Sequence, residues 1–74
     1  MEFEIEPNAA FAGRLVRELG LPAGCVLVRS SLDGRERVVT ASTRLHTDMR
    51  ITAVIAPEAK EALEILRRGC AAGN

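Results

Sequence analysis

The chain has no tryptophan, no tyrosine and only two phenylalanines. Proteins that hold single-stranded nucleic acid stack its bases on aromatic rings, and here the rings are missing. An excess of charge is missing as well. Ten Lys and Arg balance ten Asp and Glu and are mixed along the chain, so no basic stripe exists to neutralise a phosphate backbone. Nucleic acid is therefore excluded as a partner. No apolar run approaches the roughly 18 residues of a membrane span. The acidic start Met1-Glu2-Phe3-Glu4 lacks the basic and apolar regions of a signal peptide, and direct membrane insertion is not expected.

Cysteine is scarce too. Cys25 and Cys70 are too few for a disulfide framework and lack the short paired spacing of a zinc or redox site, so a reduced, cytoplasmic setting is expected. Cys25 lies in an apolar run and reads as a small buried hydrophobe. Cys70 opens an unpatterned segment, residues 70–74, expected to be a flexible tail. The 74 residues allow a single domain, residues 1–69. A chain this short buries only about 60% of the surface its unfolded form exposes. With no disulfide or metal to staple it, association is the remaining source of extra stability.

What is present is a clear alternation of patterns. Met1, Phe3 and Ile5 alternate with Glu2, Glu4 and Glu6, the period-two signature of a half-buried strand, which Pro7 ends. Asn8 is placed to cap a short helix in which Phe11, Leu15 and Leu19 recur every four residues, flanked by Ala12 and Val16. Gly20 supplies its left-handed stop, Leu21 folds back on the last turn and Pro22 prevents continuation. Asp33-Gly34 predicts a tight hairpin, because both central residues of that turn need positive φ. It joins the strand from Cys25 to one spanning residues 35–41 with Val38 and Val39 at its centre. Residues 42–49 read as a polar loop pinned by Leu45. A final strand covers residues 51–56, with Ile51, Ala53 and Ile55 on one side. Pro57, Glu58 and Glu61 suit the start of a helix, and Arg67, Arg68 and Gly69 suit its end. Its buried stripe is Ala59, Ala62, Leu63 and Leu66. The fold class is α+β, in the order β-α-β-β-β-α: a small, mainly antiparallel sheet with its helices on one face.

The run Cys25-Val26-Leu27-Val28 carries the most information, because it does not alternate. A strand that is apolar on both sides needs cover on both sides. Two short helices cover one face of a sheet, and the other is expected to be covered by a second copy, giving a homodimer through the sheet. Arg29 follows directly and stands at the rim of the expected crevice, where a guanidinium can clamp a phosphate or carboxylate. The alternative is a strand-end charge held by Asp33 or Glu36.

Catalytic constellations are not legible. His46 and Asp48 are a conceivable proton-transfer or metal pair, but they lack the converging partners a site needs. Ser30, Ser31 and Ser42 sit in no strand-turn-helix elbow that would expose a nucleophile. The glycines form no phosphate-cradling cluster. No enzyme activity, cofactor or metal is expected.

The ordered set of segments resembles the TrkA-C domain, the C-terminal domain of regulators of potassium conductance. The stretch Ala12-Gly13-Arg14-Leu15-Val16-Arg17-Glu18-Leu19-Gly20-Leu21-Pro22 is similar to the segment that follows the first strand of that family. Cys25-Val26-Leu27-Val28-Arg29 is similar to its next strand. Thr43 to Ile51 is similar to its loop and strand, and Ala56-Pro57-Glu58 through Leu66 to its closing helix. The chain departs from the pattern in lacking proline near Thr40 or Ala41 and glycine at Thr47, and in a longer segment from Ser30 to Asp33. The resemblance implies a regulatory domain of an ion channel or transporter, at the inner face of the membrane through that partner. It also implies a dimer which, in some branches, binds a small effector such as cyclic di-adenosine monophosphate between copies. Val26, Val28 and Arg29 are the residues expected to line that crevice. A dimerisation module without any ligand is the alternative.

Overall fold

A computed structural model describes residues 1–72. Four strands form one antiparallel sheet: β1 (Glu2–Glu4), β2 (Cys25–Leu32), β3 (Arg35–Val38) and β4 (Arg50–Ile55), in the order β1-β4-β2-β3. One helix, α1 (Lys60–Cys70), follows. The architecture is the α+β sheet-and-helix arrangement read from the sequence. Asp33 and Gly34 take φ of 54° and 77°, the two positive values required by the turn between β2 and β3.

The inner face of the sheet carries Phe3, Leu27, Ile51, Ala53 and Ile55. It packs on Leu66 and Cys70 of α1 and on Ile5, Phe11, Leu19, Leu45 and Met49 from the connecting segments. Leu45 is fully buried and pins the loop between β3 and β4 as expected. Its amide donates to the Arg14 carbonyl at 2.8 Å, and its own carbonyl accepts from Gly13 N–H at 2.8 Å. The loop is thereby paired with the segment after β1, and a bridge joins Leu15 to Arg44.

That pairing corrects one expectation. Residues 8–19 do not form a helix; they make consecutive turns and a single 3-10 turn at Val16–Glu18. The reason is Gly13. It sits at φ +83°, a value no α-helix interior tolerates, and it turns the chain so that Gly13 and Arg14 bond to Leu45. The four-residue apolar spacing is met by loops that bury Phe11 and Leu19.

Two further differences concern α1 and its end. Gly69 is not the stop: the helix continues to Cys70. Phe11 lies directly over Gly69, so that any Cβ there would overlap the ring; the glycine is required by packing rather than by termination. Cys70, placed by sequence at the start of a flexible tail, is only 3% exposed. Its carbonyl accepts from Glu6 N–H at 2.9 Å, and Ala72 bridges to Ala9. The chain is thus tied down through residue 72, and residues 73–74 lie outside the described residues. Substituting Gly69→Ala is expected to destabilise the fold. Better helix propensity contributes about 1 kcal/mol, but overpacking against Phe11 costs about 1–3 kcal/mol. A lowered urea midpoint is the expected readout, and an unchanged or raised midpoint would contradict the packing role.

Candidate functional site

The outer face of the sheet is built by register. In an antiparallel pair, directly opposed residues project to the same side. Val26 lies opposite Val54, Arg29 opposite both Thr52 and Val38, and Glu2 opposite Thr52. β2 is irregular between Leu27 and Arg29, with Val28 as the extra residue against β4. A bulge of this kind re-aims the side chains that follow it. Strict alternation from the inward Leu27 would send Arg29 inward; after the bulge Arg29 points outward and Ser30 takes the buried position, 4% exposed. One extra residue therefore gathers Val26, Val28 and Arg29 on a single surface.

This surface has no cover. Val26 is 59% exposed and Val54 60%, with Val28 and Val38 also exposed. The helix and loops all pack on the other face, as the unalternating apolar run required. Charges rim the valines: Glu4 pairs with Arg50 at 3.9 Å on the β1 side, and Arg29 with Glu36 at 3.3 Å on the β3 side. Arg29 and Glu36 side chains are 51% and 60% exposed. The arginine thus has a carboxylate partner within the chain, one of the two anticipated from sequence, held in a weak solvated pair. Val54 was not singled out by sequence, because its place beside Val26 depends on register; the alternation of Ile51, Ala53 and Ile55 inward was the signal that would have placed it.

Other candidates are scattered. His46 and Asp48 are both exposed in the loop. Among the described residues no group of three or more His, Cys, Asp or Glu could hold a metal. Burial, with the Glu6 carboxylate nearby, pushes the Cys70 thiol from 9.0 up to about 11; near neutral pH it stays protonated and unreactive. Burial also raises Cys25.

The TrkA-C domain family model matches residues 1–67. The chain belongs to the TrkA-C domain family. The match takes in every strand, the bulge and most of α1, and it includes the uncovered valine face. A search of curated proteins finds no match. TrkA-C domains are regulatory rather than catalytic, and are associated with the transport of potassium or other ions through the channels and transporters they accompany. In this TrkA-C domain, among the described residues, no helix is long and apolar enough to cross a membrane.

Proposed function

We propose that this chain is a cytosolic, ligand-sensing dimerisation domain of an ion channel or transporter, held at the inner face of the membrane through that partner. The observation that carries the reading is the exposed face of Val26, Val28 and Val54. Fully burying an exposed valine contributes about 1.5–3 kcal/mol; these valines keep roughly half of their surface in water, so each adds about half of that, once in each copy of a two-fold seam. A flanking rim that holds both signs of charge suits a self-complementary contact, since opposite signs can meet across the axis. Arg29 stands where such a seam opens to solvent. An anionic effector, of which a cyclic dinucleotide is the candidate, would displace the exposed Glu36 contact and bridge the arginines of two copies. It would act on transport by favouring one relative placement of the copies, because only differential affinity shifts such an equilibrium.

The rival is a dimerisation module without a ligand. The Arg29–Glu36 pair favours it, because the arginine's charge is already balanced inside the chain. Calorimetry against cyclic dinucleotides, adenine nucleotides and simple anions separates the two. The sensing reading expects saturable heat that weakens at least about tenfold on Arg29→Ala, the scale of losing one charged hydrogen bond. Silence across the panel would leave the scaffold.

A further inference from the structure

The inner face of β3 is where the domain departs from an ordinary core. Arg35 lies opposite Leu32, and Arg37 opposite the buried Ser30, so both arginines project toward the side on which the core lies. α1 does not reach them. They stand over a recess of about 690 Å³ whose walls are Ser30, Leu32 and Asp33 from the hairpin and Thr43, Arg44, His46 and Met49 from the loop.

The positive charge there exceeds the negative. Neither Arg35 nor Arg37 is in an ion pair with a described residue. Arg44 is held in place by donating Nη1 to the Gly13 carbonyl, which leaves its remaining donors free. Asp33 at the hairpin tip offsets one of the three guanidinium charges. Inward charge on an edge strand also prevents strand-to-strand aggregation. That role needs one charge of either sign and no particular neighbours, whereas here two elements bring three guanidinium groups, an imidazole and a buried hydroxyl to one concavity.

We infer that this recess binds the phosphoryl dianion of a small soluble molecule. Guanidinium groups match phosphoryl oxygens with paired N–H donors. The two β3 arginines are about 7 Å apart at their backbones, two residues along one strand, a spacing that lets their forks converge on one group. Ser30 adds a hydroxyl at the floor, and Leu32 and Met49 offer apolar wall to the organic part. A volume of this size suits a small organic ligand better than a bare ion. The site lies on the opposite face of the sheet from Val26, Val28 and Arg29 and is complete within one chain, so it stands whether or not the copies pair.

The test is a titration of the isotopically labelled chain with sodium pyrophosphate near neutral pH, followed by amide and arginine Nε–H signals. Saturable shifts confined to residues of the hairpin and of the loop around Arg44 and His46 are expected at millimolar ligand or below. Arg35→Gln and Arg37→Gln should each weaken binding by about tenfold while the spectrum stays dispersed, because both residues are exposed and neither belongs to the hydrophobic core. Arg68→Gln, on the solvent side of α1, should bind as the parent does. The inference is overturned by any of three outcomes. These are shifts that never saturate, shifts spread equally over Arg67 and Arg68, or association with phosphatidylglycerol vesicles without saturable pyrophosphate binding.

Discussion

Glutamate at Val26 or Val54 is expected to separate the paired copies into folded monomers. Both valines are more than half exposed within one chain, so a carboxylate at either position costs the isolated fold little. In a two-fold seam the same change places two carboxylates among the valines, and Arg29 on that face already has Glu36 as its partner. An uncompensated buried charge costs about 3–5 kcal/mol, so the monomer–dimer Kd should rise by at least about a hundredfold. Thr52→Ala, on the same face but polar in the parent, should change it much less. Size-exclusion with light scattering over a concentration series reads the difference, and far-ultraviolet circular dichroism confirms that the monomers remain folded. Dimers that survive both glutamate variants would mean that the copies meet elsewhere.

Leu45→Ala is expected to be the most damaging core substitution of the connecting loop. The side chain is fully buried, and its backbone pairs with Gly13 and Arg14. It therefore anchors both the loop before β4 and the turns after β1. A buried Leu→Ala change costs about 2–5 kcal/mol. At roughly 0.05–0.15 kcal/mol per residue a domain of this length holds about 4–11 kcal/mol in all, so the variant should lose a large share of its stability and about 10 °C or more in Tm. The recess beside Arg44 and His46 should be lost with it. A shift of only a degree or two would show that the loop is not anchored at Leu45.

The sequence discloses those parts of the molecule that depend on local periodicity. The inward set Ile51, Ala53 and Ile55, the Asp33-Gly34 hairpin, the Leu45 anchor and the burial of Ala62 and Leu66 on α1 each follow from spacing within a few residues, whereas Ala59 precedes the helix and Leu63 is only half-buried. What it conceals depends on partners distant along the chain. The spacing of Phe11, Leu15 and Leu19 suits a helix, but Gly13 adopts a left-handed conformation in order to pair with Leu45, more than thirty residues away. Gly69 has the look of a helix stop because glycine is common there, and only the Phe11 ring above it reveals the other reason.

The candidate surface shows the same division. The run Cys25-Val26-Leu27-Val28 discloses a strand apolar on both sides, and the exposure of Val26 and Val54 bears that out. The bulge that brings Arg29 onto the valine face leaves no mark in the sequence, since it is a property of the pairing between β2 and β4. Nothing in the sequence singled out Arg35 and Arg37. Their convergence with Arg44 and His46 became apparent only with the path of the loop. Family membership rests on the whole ordered set rather than on any one of these residues.

Sedimentation equilibrium of the unmodified chain at micromolar concentration tests the central claim, that the uncovered valine face is a seam between two copies. The account predicts a particle of twice the 8.0 kDa chain mass that dissociates on dilution. A single, folded species at 8.0 kDa across the whole concentration range would contradict it.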